Sequence, residues 1–183
     1  MPSTFPNPMH LALHAARFDM KGFKTWRGME GGGYQFTLLH EGSPVATVTE
    51  EGNGGPLRID WHGVSWNGSA LPLSSDATAA QKRKAAAQTA LTRTAKAALA
   101  DIIAATPPLS VGGGYTVNAD EDIVLGSLAE VADVRKLTKK KTAIADGGKL
   151  YTLNAPFTPA VAAHVAAKYP NATVLNTIPV YVG

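Results

Sequence analysis

The chain predicts an α+β fold: an N-terminal antiparallel β-meander, a long central helix and a C-terminal helix–hairpin–helix section. Three observations carry this. Between Trp26 and Trp61, short apolar–polar alternations are punctuated by glycine turns, the pattern of adjacent antiparallel strands. From about Ala77 to Ala104 the chain is rich in alanine and free of glycine and proline, which favours one long helix. Beyond Pro107-Pro108, helix caps and hairpin turns follow one another at short intervals. The 183 residues suffice for one domain with a real core or for two small lobes.

The segments follow in order. Residues 1–22 form a proline-rich arm and a short helix, His10 to Phe18, stopped by Gly22. Residues 23–75 form the meander. Its strands run from about Phe23 to Arg27, Tyr34 to Leu39, Val45 to Thr49 and Leu57 to Trp61, with a short fifth around Val64 and Trp66. Tyr34, Phe36 and Leu38 share one face at period two, and Leu57, Ile59 and Trp61 alternate with Arg58 and Asp60. Residues 76–108 hold the long helix, with Asp76 as N-cap and an apolar stripe, Leu91, Ala95, Leu99 and Ile102, in its second half. Its first half has little to bury and is expected on the surface. Residues 109–183 open with a glycine loop at Gly112 to Gly114. A helix starting at Asn118 comes next, with Glu121 completing a capping-box pattern. A hairpin across Asp146-Gly147-Gly148 precedes a helix capped by Thr158-Pro159, and Thr173 to Leu175 adds a last strand. The two sections look like separate small α+β units joined by the long helix.

Composition excludes several chemistries. Without cysteine there are no disulfides, thiolate metal sites or cysteine nucleophiles, and the chain leans towards a reducing compartment. No run approaches the roughly 20 apolar residues that span a bilayer, and MPSTFPNPMHLALHAARFD does not read as a signal peptide. A cytoplasmic protein with no membrane partner is expected. The net charge of +3 is unevenly spread. The excess lies at Lys82, Arg83, Lys84, Arg93 and Lys96, and again at Arg135, Lys136, Lys139, Lys140, Lys141 and Lys149.

The segments WRGMEGGGYQFTLLHEGSPVATVTEEGNGGPLRIDW and RKLTKKKTAIADGGKLYTLNAPFTPAVAAHVAAKYPNATVLN resemble the start and the C-terminal part of a family of small uncharacterised bacteriophage and mobile-element proteins. Together they cover somewhat under half of the chain, and the long helix lies outside them. The resemblance implies a phage or mobile-element accessory protein acting in a bacterial cytoplasm. It carries over no catalytic residue.

The basic segment holding Arg135, Lys136, Lys139, Lys140 and Lys141 is the main functional signal, because clustered cations bind phosphates by displacing counterions. Tyr151, Phe157 and Tyr169 follow it closely and are able to stack on bases. A solvated helix end that suits the helix dipole is the ordinary explanation. Lys82, Arg83 and Lys84 with Arg93 make a second positive surface, although Lys82, Lys84 and Arg93 cannot all share one helical face, and a solvated helix is the ordinary explanation. His10 and His14 stand at metal-ligand spacing, but no third ligand accompanies them and no metal or other cofactor is expected. Glu30, Glu50, Glu51 and Asp60 are carboxylates that a meander is able to bring together for metal binding or acid–base work, but adjacent Glu50 and Glu51 point to opposite faces and turn solubility is the ordinary explanation. Gly31 to Gly33 and Gly52 to Gly55 are hairpin turns rather than phosphate loops, since no GK[ST] follows. Trp26, Tyr34 and Trp66 offer aromatic anchors for a protein partner if they lie exposed.

The leading expectation is a non-catalytic binder of DNA or RNA. The alternatives are a module that grips a host protein or another copy of itself through the meander, and an enzyme of unrecognised class. Oligomeric state is not legible.

Overall fold

The computed structural model describes residues 5–65 and 67–182. Trp66 lies outside these residues. The architecture among the described residues is α+β: four α-helices, and nine strands in antiparallel sheets.

Helix α1, Pro8–Ala15, starts where the Asn7 side chain accepts the Met9 N–H and proline occupies the first turn. Arg17, at a φ of 60°, turns the chain directly into β1, Phe18–Arg27. The first strand therefore starts five residues before the sequence expectation. Phe18 and Met20 belong to it, and Gly22 marks a bulge within it rather than a helix stop. Strands β2, Gly32–His40, β3, Ser43–Glu50, and β4, Arg58–Trp61, follow in simple meander order. Phe36, Val48 and Ile59 lie in register on the inner face, as do Leu38, Ala46 and Trp61. The expected fifth strand reduces to one isolated bridge, Val64 to Ala70.

Helix α2, Ala79–Ala105, is capped by Thr78 rather than Asp76. The reason is reciprocal bonding. The Thr78 N–H donates to the Gln81 side chain at 2.7 Å, and the Gln81 N–H donates to the Thr78 hydroxyl at 3.2 Å. Asp76 has only Ala79 three residues on and cannot build this box. Buried side chains begin at Thr89 and continue through Thr92, Ala95, Leu99 and Ile102, so the first ten residues project from the core.

The glycine loop is the turn of a hairpin, β5, Leu109–Gly112, with β6, Tyr115–Val117, because Gly113 and Gly114 both take positive φ. Helix α3, Glu121–Thr138, is capped by Asp120, whose carboxylate accepts the Ile123 N–H at 2.9 Å, and not by Asn118. It is the most deeply buried helix: Val124, Leu125, Leu128, Val131 and Val134 all face the core. Strands β7, Thr142–Asp146, and β8, Lys149–Leu153, pair across the Asp-Gly-Gly turn. Helix α4, Pro159–Lys168, has Thr158 as N-cap. Strand β9, Thr173–Val174, adds to the far side of β7, giving the order β8-β7-β9. Two short 3₁₀ turns, Leu175–Thr177 and Pro179–Tyr181, end the chain.

One cluster of buried side chains crosses the division between the two sections. It joins Leu13, Phe36, Leu38 and Val48 to Leu99, to Leu125 and Leu128, and to Ala143, Leu175 and Tyr181. The two sections thus share a core. Truncating one of its leucines, such as Leu128, costs about 2–5 kcal/mol by the general behaviour of buried leucines.

Candidate nucleic-acid interface

The last turn of α3 contacts β1, one of the two edge strands of the four-stranded sheet. Two contacts fix it there. The Arg135 guanidinium donates to the Asp19 carboxylate at 2.7 Å and to the Val180 carbonyl at 3.0 Å. The Lys136 ammonium sits 4.9 Å from the centre of the Phe23 ring and 3.2 Å from Asp133. Arg135 is thereby corrected from an expected ligand contact to a structural group, since its side chain is only 15% exposed and its Nε and one Nη are engaged within the fold.

The turn from α3 into β7 carries Lys139, Lys140 and Lys141. Asn176 holds it from behind: its amide donates to the carbonyls of Thr138 and Lys141, and its side-chain oxygen accepts the Ala143 N–H. Lys139 and Lys140 are exposed on this braced turn, and Lys141 is half-buried.

The structure adds cations that sequence order hides. Lys21, Lys24 and Arg27 are exposed on β1, the strand against which the end of α3 packs. None of Lys21, Lys24, Arg27, Lys139 and Lys140 makes an ion pair among the described residues, whereas the neighbouring acids Asp19 and Asp133 are both engaged. Before Ser74 the acids and bases nearly cancel, so a count along the chain conceals this edge. Only the pairing of Asp19 with a residue 116 positions away unbalances it.

The two sheet aromatics separate. Trp26 faces outward, 40% exposed, with its indole lying across Gly33; a β-carbon at Gly33 would collide with the indole nitrogen. It lines a shallow cleft of about 480 Å³ with Arg27, Met29 and Glu30, and Met29 is almost fully exposed. Tyr34 faces inward instead. It stacks with Phe23 and Phe36, its hydroxyl approaches Gly126 of α3, and burial followed by the Glu50 and Asp122 carboxylates pushes its phenol up to about 12. Adjacent residues of a strand point to opposite faces, and Trp26 opposes Gly33 while Thr25 opposes Tyr34. The expected Trp26–Tyr34 surface is therefore corrected: no single partner face holds both.

Lys82, Arg83 and Lys84 are exposed on the projecting half of α2. That half is held to the loop after β4 by Thr89, which donates to the Gly63 carbonyl, at the opposite edge of the sheet from β1. The two basic groups thus belong to different edges. Of the aromatics near the basic turn, Tyr151 is exposed on β8, while Phe157 and Tyr169 are half-buried.

His10 and His14 do not converge either. His14 is exposed, whereas His10 is fully buried, with Nδ1 2.9 Å from the Tyr181 hydroxyl and Nε2 3.5 Å from the Glu130 carboxylate. Burial pushes the His10 imidazole down to about 4, against a smaller opposing pull from the Ser127 carbonyl. The Tyr181 hydroxyl also accepts the Asn7 N–H at 3.1 Å, so this polar cluster ties α1 and α3 to the last turn of the chain. Among the described residues no group of three histidine or acidic side chains is placed to hold a metal ion. The meander carboxylates also stay apart in their roles. Arg58 engages Glu51 and Asp60, and Glu50 accepts the Gly52 N–H.

Comparison of the chain with family models, curated proteins and solved structures finds no match. No helix among the described residues is long and apolar enough to cross a membrane.

Proposed function

We propose that the chain is a non-catalytic nucleic-acid-binding protein whose contact surface wraps the β1 edge. Lys21, Lys24 and Arg27 would meet phosphates from the strand, and Lys139 and Lys140 from the braced turn after α3. Trp26, on the same strand face as Lys24 and exposed, supplies a face on which an unpaired base stacks. The observation that carries this reading is the set of cations at one edge with no acid paired to them among the described residues. Lys82, Arg83 and Lys84 add to the positive field without joining the contact surface. Strand addition by a second copy at β1 is opposed by the same lysines, which is how natural sheets protect a free edge. The resemblance to phage and mobile-element proteins supports an accessory role in a bacterial cytoplasm.

Fluorescence anisotropy against single- and double-stranded DNA and RNA tests the proposal. With about five phosphates contacted, the logarithm of the binding constant should fall against the logarithm of salt with a slope of roughly −3 to −5. A single-stranded preference is expected, because stacking on Trp26 requires an unpaired base. Absence of binding even at low salt would refute the proposal.

A further inference from the structure

A second surface, separate from the β1 edge, has the form of a docking groove. The loop after β4 folds back over the projecting half of α2 and leaves a cleft of about 360 Å³. Leu71 and Leu73 form one wall, 49% and 46% exposed, and Ala86 and Ala90 of α2 form the floor. The loop is held firmly in this position. The Leu71 N–H donates to the Gly63 carbonyl at 3.2 Å, Thr89 donates to the same carbonyl at 2.8 Å, and Arg93 donates to the Gly68 carbonyl at 3.3 Å. Two leucines presented to solvent by a fixed loop are not explained by folding, because nothing among the described residues covers them.

The charge at the ends of the groove says what kind of occupant fits. Lys82 and Arg93 stand at its two ends, and the interval of eleven residues puts them on the same helical face, about 16 Å apart along the axis. No aspartate or glutamate lies between Ala77 and Ala100, so the helix itself supplies nothing to balance them. We infer that this groove docks a short acidic amphipathic segment of a partner protein. Its apolar side chains seat between Leu71, Leu73, Ala86 and Ala90, and carboxylates at its ends meet Lys82 and Arg93. About three helical turns, or five extended residues, span the distance between the two cations. The mode is that of a peptide in an apolar groove with flanking charge pairs, in which the apolar contacts supply affinity and the charges fix direction.

The test is to pan a random dodecapeptide library on the full chain and measure the enriched peptides by fluorescence polarisation. Enriched sequences should combine leucine, isoleucine or phenylalanine with aspartate or glutamate. Ala86→Glu, at an exposed position that tolerates a good helix former, should weaken them at least tenfold while circular dichroism and Tm stay unchanged. The double variant Lys82→Glu/Arg93→Glu should lose the acidic peptides and gain their lysine-substituted counterparts, which a merely unfolded groove would not do. The inference is overturned if no peptide is enriched or if Ala86→Glu binds the peptides as the parent does. A labelled oligonucleotide that competes with the peptides and is itself lost in Ala86→Glu would likewise overturn it, by assigning the groove to nucleic acid.

Discussion

The first half of α2 and the last turns of α3 are both basic, but the fold accounts for them differently. In α3 the acids Asp120, Glu121 and Asp122 stand at the N-terminal end and Arg135 and Lys136 at the C-terminal end, as the helix dipole favours. Arg135 and Lys136 also have partners in Asp19, Val180, Asp133 and Phe23. In α2 the cations Lys82, Arg83 and Lys84 crowd the N-terminal end, where the dipole opposes them, and no ion pair offsets this among the described residues. Equal runs of positive charge therefore mean different things. After α3 the exposed cations without an ion pair among the described residues are Lys139 and Lys140. In α2 all three lack one.

The largest expected effect sharpens this contrast through pH. The His10 imidazole titrates near 4 in the fold against about 6.5 when unfolded, so between those values the unfolded chain binds the extra proton. Stability should be complete above about pH 6.5 and fall by up to about 3 kcal/mol as pH drops towards 4, then level off for this group. Denaturant melts from pH 7 to 4 check the size. Hydrogen exchange checks the location: protection should weaken in α1 and α3, which His10 joins, and not selectively in the first half of α2. His10→Asn should flatten that pH dependence.

Next in size is Arg135→Met. It leaves Asp19 without its cation and Val180 without its donor, and should cost about 2 kcal/mol, the scale of a hydrogen bond to a charged group. Nucleic-acid affinity of the folded fraction should barely change, because this guanidinium is engaged inside the fold. A large loss of affinity at full folding would return Arg135 to the interface. The smallest effect is the replacement of Lys82, Arg83 and Lys84 by glutamate. It reverses an unfavourable dipole interaction and should raise Tm by about 2 °C, measured by thermal melting. A drop would mean that these cations do support the fold.

Much of this architecture is readable from local signals. The alternation of Tyr34, Phe36 and Leu38, the turn at Asp146-Gly147-Gly148 and the cap at Thr158-Pro159 rely on backbone preferences within a few residues, and the structure follows them. What is not readable depends on distant partners. Tyr181 follows Pro179 in a tail with no periodicity, yet it is fully buried, because His10 and Asn7 bond its hydroxyl from the other end of the chain. The same holds at the candidate site. The run from Lys139 to Lys141 is plain in the sequence. The use of Arg135 by Asp19, and the placing of the β1 cations Lys21, Lys24 and Arg27 on the strand that the end of α3 contacts, arise only in the folded chain.

The most direct test of the proposed function reverses charge at each basic region separately and compares nucleic-acid affinity at one near-physiological salt concentration. Lys139→Glu/Lys140→Glu should weaken binding at least about tenfold and flatten the salt dependence, while Arg83→Glu/Lys84→Glu should change it by less than about threefold. Equal losses in both variants would reduce the interaction to diffuse attraction by net charge, and no loss in the first would contradict the assignment of the β1 edge.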